Sequence, residues 1–241
     1  MGKKLLLCIM AFLVTAVLMA QKQAHALDVG VGGVAWYTQW DSWGGGPDEG
    51  VYPTFMYGGI LSLGFTSDWS LSTVFMYGQF EPKGTGGPGP IDRYDLDTSL
   101  NYNVFRYFKI IAGVKYMGYY WDEETQNGSA AHYSVGPALG FGLTVPLIWN
   151  FYVVCNVTGM YSFGKYDQDN LQGERSTLMR EYGINSSAGL VYYIEAISTT
   201  VTVGFRSQFF RMDYDSDRER DGDFHFWGVF ASVVYSFGLF E

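Results

Sequence analysis

The sequence predicts an all-β chain folded as a closed antiparallel transmembrane β-barrel. Ten strands is the expected number, and eight is the alternative if two segments belong to extended loops. Three observations predict it. First, ten segments alternate apolar and polar residues with period two, so mean hydropathy is only +0.01 although 48% of the chain is hydrophobic. Second, after residue 26 no stretch approaches the run of about 18 apolar residues that a spanning helix needs. Third, aromatic residues make up 18% of the chain and gather at the ends of the alternating segments.

Residues 1–26 read as a secretory signal peptide, and residues 27–241 as one barrel domain with no linker. Lys3 and Lys4 precede an apolar stretch from Leu5 to Ala20, and Ala24-His25-Ala26 has the form of a cleavage site. Three of the 15 basic residues and none of the 24 acidic ones lie before Leu27, so the remainder carries 12 against 24 and a formal charge of −12. An acidic surface argues against nucleic acid as a partner. Of the two cysteines only Cys155 follows the signal, which leaves no intramolecular disulfide.

The alternating segments lie near 27–40, 55–66, 69–81, 93–105, 108–122, 131–145, 149–164, 181–194, 199–212 and 224–240. Each reaches the roughly 9–11 residues of a tilted membrane-crossing strand, or runs past it. In the last one, Trp227, Val229, Ala231, Val233, Tyr235 and Phe237 share one face; Gly228, Phe230, Ser232, Val234 and Ser236 share the other. In the fourth, Tyr94, Leu96, Leu100 and Tyr102 oppose Arg93, Asp95, Asp97, Ser99 and Asn101. In the sixth, Tyr133, Val135, Leu139 and Phe141 oppose His132, Ser134, Gly136 and Ala138. A soluble sandwich would turn its apolar faces inward and cover its outer faces with charge. Here the second face is built from Gly, Ser, Thr and Asn with few charges, as in a crowded polar interior.

The connections alternate in length. Short turns such as Thr66-Ser67-Asp68 and Ile197-Ser198 follow the even strands. Longer Gly-, Pro- and acid-rich connections, at 41–54, 82–92, 123–130, 165–180 and 213–223, follow the odd ones. With these features the chain resembles the small bacterial outer-membrane β-barrel proteins over essentially all of 27–241. Such proteins typically end in an aromatic residue that the barrel insertion machinery reads; Phe240 stands nearly there, followed by Glu241. The resemblance implies residence in the outer membrane after export to the periplasm, contact with membrane lipid and lipopolysaccharide, and passage through that machinery.

Ten strands lie near the filled end of the barrel series, so a wide diffusion pore is not expected. The inward phase collects a charge cluster: Asp95, Asp97, Lys109, Lys115, Glu181 and Arg206. Mutual ion pairing is the structural reading and a polar path for small solutes is the functional one. The outer half of the interior collects Trp36, Trp40, Met76, Phe80, Met117, Tyr119, Trp121, Phe210, Met212 and Phe226. These make either a packed plug or an apolar mouth pocket for a small solute or lipid-like ligand.

Two resemblances raise catalysis as the second reading. His132 and Ser134 form an H-x-S on a strand, as in the outer-membrane lipid A deacylases, and a neighbouring carboxylate would complete a hydrolytic set. The omptin proteases pair Asp-x-Asp with Asp-x-His, matched in type by Asp95/Asp97 and by Asp223/His225; the latter pair has lipid-facing parity. The loop at 213–223 is acidic but lacks the spacing of an EF-hand. No phosphate loop, Cys/His metal set or nucleotide fingerprint occurs, so neither cofactor nor metal is expected.

Overall fold

The computed structural model describes residues 27–43, 50–83, 89–123, 128–170, 173–215 and 221–238. The signal segment 1–26, the chain end 239–241 and the middle of the acidic loop at 213–223 lie outside the described residues.

Ten strands close into one antiparallel barrel in which each strand pairs with its sequence neighbours and β1 pairs with β10. They are β1 (Asp28–Trp43), β2 (Thr54–Gly64), β3 (Trp69–Phe80), β4 (Ile91–Phe105), β5 (Phe108–Glu123), β6 (Gly128–Pro146), β7 (Phe151–Asn170), β8 (Gly173–Ile194), β9 (Thr199–Tyr214) and β10 (Gly222–Gly238). The eight-strand alternative is therefore overturned: every alternating segment is a wall strand. Closure is the physical reason, because it pairs every strand edge that lipid could not hydrate.

Three boundaries differ from expectation. Residues 165–170 and 173–180 form no loop; β7 and β8 continue through them as a paired ladder, from Lys165↔Leu178 out to Asn170↔Gly173. Their charges suggest a loop, but a hairpin that rises above the membrane needs no apolar outer face. The connection expected at 123–130 likewise shortens, because β5 runs to Glu123 and β6 starts at Gly128. At the opposite end, β7 begins at Phe151 rather than 149. Trp149 and Asn150 take φ of 47° and 64° and form a two-residue hairpin turn closed by Phe151 N–H donating to Ile148 O at 3.0 Å. Two successive left-handed residues give the turn whose twist suits a tight hairpin.

The outer wall is apolar. Val31, Leu61, Phe75, Leu96, Ile110, Leu139, Ile184, Val203 and Val229 are all exposed. An apolar surface continuous around ten strands far exceeds what water-soluble monomers display, and it matches a hydrocarbon band. Ring pairs border it at both ends. Near the short turns Trp69 meets Tyr102 and Phe151 meets Tyr192, each at 4.5 Å between centroids. Toward the long connections Tyr37 meets Phe55 at 4.9 Å and Tyr77 meets Tyr94 at 5.0 Å. These are the two girdles expected where lipid headgroups begin.

Inward glycines let adjacent strands coil closely. At Gly58 a Cβ would lie 1.6 Å from the backbone oxygen of Phe75 on β3. Gly58→Val is expected to destabilise the barrel by about 3 kcal/mol, the upper end of ordinary overpacking, because backbone and not a flexible side chain must give way. Guanidinium unfolding from lipid vesicles measures this; an unchanged midpoint would show that β2 and β3 separate freely.

Candidate functional site: the barrel lumen

The lumen is organised in three layers, stacked from the long connections toward the short turns. The outermost is apolar. Trp36, Phe80, Met117, Phe210 and Phe226 are fully buried, and Trp40, Met76, Tyr119 and Met212 are nearly so; Trp121 is partly buried against them. Trp40 is the hub of this layer, with its ring 5.0 Å from Phe226, 5.5 Å from Phe80 and 5.9 Å from Tyr119. The ten residues of the outer half thus pack into a plug. Only Trp36 and Met76 among them also border the main lumenal cavity, on its opposite side.

Beneath the plug lies a belt of charge. Arg93 on β4 grips Asp95 through two hydrogen bonds, Nε to Oδ1 and Nη2 to Oδ2, both at 2.9 Å. It also donates to Gln208 Oε1 on β9, and Gln208 Nε2 approaches Asp95 Oδ2 at 3.4 Å. The guanidinium is capped by the Phe226 ring at 3.7 Å, a cation–π contact that suits a desolvated cation. Asp97 is shared by Lys115 at 3.0 Å and Arg206 at 2.8 Å, and Lys115 also lies 3.9 Å from Asp95. Arg206 further reaches Asn185 and sits over the Trp36 ring. Three cations share two carboxylates here, so every charge in the belt has an opposite charge beside it, which makes its burial tolerable.

Of the six charges expected in the lumen, Asp95, Asp97, Lys115 and Arg206 meet in this belt. Glu181 sits apart, where Ser134 donates to its Oε2 and His132 Nε2 lies 3.1 Å from its Oε1 without hydrogen-bond alignment. Lys109 is the exception: it has no carboxylate within ion-pair distance among the described residues. Arg93 and Gln208, which anchor the belt, were missing from the expected cluster. Arg93 has the same inward parity as Asp95 and Asp97, so an R-x-D-x-D reading of β4 would have found it; Gln208 carries no charge and gives no such signal.

His132, Ser134 and Glu181 do come together, but the carboxylate holds the serine, and among the described residues no hydrogen bond joins Ser134 to His132. All three are at most 4% exposed, beside the plug, with the Tyr119 ring tilted on His132 at 5.0 Å. The two Asp-containing pairs stay apart. Asp95 and Asp97 point into the lumen from β4, whereas His225 on the outer face of β10 bonds Ser207 Oγ at 2.8 Å. Three strands separate β4 from β10.

Below the belt is a cavity of about 280 Å³. Its lining is two-sided. Val34, Ile60, Val74 and Phe230 face it from β1, β2, β3 and β10, while Asn101, Lys109, Asn156, Thr158, Asn185 and Ser187 face it from β4, β5, β7 and β8.

No protein-family model and no curated protein matches the sequence. Among solved structures, the outer membrane protease OmpT from Escherichia coli superposes with a TM-score of 0.51 at 9% identity, covering 88% of this chain and 97% of that one. The translocator domain of autotransporter NalP from Neisseria meningitidis gives 0.39 at 10% identity, over 97% and 96% of the two chains. The Pseudomonas putida toluene transporter TodX gives 0.35 at 9% identity, over 91% of each. At such identities the OmpT likeness speaks for the fold alone. Lipid-facing wall, paired girdles, closed ten-strand sheet and this likeness agree: in fold the chain is a small bacterial outer-membrane β-barrel.

Proposed function

We propose that the protein is a non-enzymatic, closed-lumen barrel of the outer membrane: a scaffold that holds a small ligand rather than a diffusion pore. In this reading residues 1–26 direct export, the insertion machinery folds 27–241 into the membrane, and lipopolysaccharide meets its outer rim. The observation that carries the proposal is the plug lying on the charge belt. Trp36, Phe80, Phe210 and Phe226 have no exposed surface, and the Arg93–Asp95–Gln208 set ties β4 to β9 across the lumen. Ions would need to displace packed rings and then a paired guanidinium.

A hydrolase is second because of one observation, the meeting of Ser134, His132 and Glu181. It ranks lower because all three side chains are at most 4% exposed beside the plug, and among the described residues no hydrogen bond joins His132 to Ser134, so the imidazole is not set to take the serine's proton.

Planar-bilayer recording of the refolded chain beginning at Leu27 tests the proposal. The expected result is a silent membrane at insertion levels verified by protease protection. Discrete steps of constant size would overturn the closed lumen.

A further inference from the structure

Lys109 and Asn156 are both left incomplete. Among Arg93, Lys115, Arg206 and Lys109, only Lys109 lacks a carboxylate partner among the described residues. Asn156 Oδ1 is buried with no hydrogen-bond partner, while its Nδ2 makes a long 3.4 Å contact with Ser187 Oγ. A buried amide oxygen without a donor is costly, and a partly buried lysine without a carboxylate leaves its charge uncompensated. The two side chains converge over Gly142: a Cβ there would lie 2.4 Å from Asn156 Oδ1 and 2.5 Å from Lys109 Cε. With the Asn156 amide turned over, one bound anion gives both side chains a partner. If the amide turns over, Ser187 Oγ–H donates to Oδ1, and Nδ2 is freed to donate beside the Lys109 ammonium; amide orientation is set by such networks. Asp97 also lines this cavity, but it is already engaged by Lys115 and Arg206. The cavity that these donors border faces Val34, Ile60, Val74 and Phe230 on its other side.

We infer that this cavity binds a short amphipathic carboxylate, its head on Lys109 and Asn156 and its chain against Ile60, Val74 and Phe230. The size fits: about 280 Å³ equals the liquid share of about nine waters, which suits a molecule of roughly eight non-hydrogen atoms such as hexanoate. The inference rests on the closed-lumen reading only for the direction of access, from the short-turn end.

The test is equilibrium dialysis of radiolabelled hexanoate against the refolded protein in nanodiscs, with empty nanodiscs as baseline. One saturable site is expected, and hexylammonium, with the same chain and opposite charge, is not retained. Lys109→Met weakens hexanoate retention at least tenfold, whereas Lys109→Arg keeps it within threefold. Ile60→Trp, which fills the apolar side, weakens it with Lys109 intact. Unheated electrophoretic mobility checks that each variant is folded. Wild-type retention no better than empty discs overturns the inference, as does a folded Lys109→Met that binds like wild type, or equal retention of hexylammonium. The bilayer recording reads the closed lumen separately. A conducting barrel with Lys109-dependent retention keeps the site and rejects only the closure; a silent barrel without retention rejects only the site.

Discussion

Arg93→Ala is expected to cost the barrel about 3–5 kcal/mol, among the largest effects of any single polar substitution in the lumen, because it strands a buried carboxylate. Arg93 and Asp95 are both fully buried. Removing the guanidinium leaves Asp95 with the distant Lys115 ammonium and the weak Gln208 contact, takes the donor from Gln208 Oε1, and uncovers the face of Phe226. The cost comes from what remains unpaired rather than from the pair's own strength. Replacing the whole set by packed apolar residues, as Arg93→Met/Asp95→Leu/Gln208→Leu, should therefore recover most of the loss. Equilibrium unfolding in guanidinium from lipid vesicles reads both. Arg211→Ala serves as the contrast. Its partners Asp213 and Asp223 sit on the exposed outer rim, where water and salt screen the charges, so its midpoint should stay with the wild type. A single Arg93→Ala as mild as Arg211→Ala would mean that water already solvates the belt.

The distance between what the sequence discloses and what it hides is set by period and range. Alternation is a local signal with a fixed period, so β10 shows both faces directly: Val229, Val233 and Tyr235 look outward, while Phe226 and Ser232 look inward. The same parity places Asp95, Asp97, Lys115 and Glu181 in the lumen before any pairing is known. Parity does not say who meets whom. Asp97 and Arg206 are 109 positions apart and Arg93 and Gln208 are 115 apart, and their meeting depends on the height of each strand around the closed sheet. For that reason Lys109 reads as one more member of the cluster, although it stands near the turn at the start of β5, below the belt. The hydrophobic signal also ends where the membrane ends. Residues 165–180 look like a loop because their outer face is polar, yet backbone pairing carries β7 and β8 on into water. The fate of the aromatic and methionine set is the same kind of question: parity turns these side chains inward, but only three-dimensional packing decides between a plug and an open pocket.

Opening the plug should convert a silent barrel into a conducting one. In Phe80→Ala/Phe226→Ala two fully buried rings disappear from around Trp40, each at a cost of about 3–5 kcal/mol if the space does not collapse. The void is bordered by Arg93 and by the unpartnered indole nitrogens of Trp36 and Trp40, so it is polar enough to fill with water rather than stay dry. From there the route passes the Asp97–Arg206 pair and enters the cavity beneath, whose floor holds Lys109. Lysine and arginine along this route should make the current favour anions. The volume-keeping pair Phe80→Leu/Phe226→Leu retains bulk at both positions and should remain silent. Single-channel recording in planar bilayers distinguishes these cases, with unheated electrophoresis confirming that each variant is folded. If the folded double-alanine barrel stays silent, the barrier to ions lies in the charge belt, since hydrated ions would then stand directly above Arg93 and still not pass it.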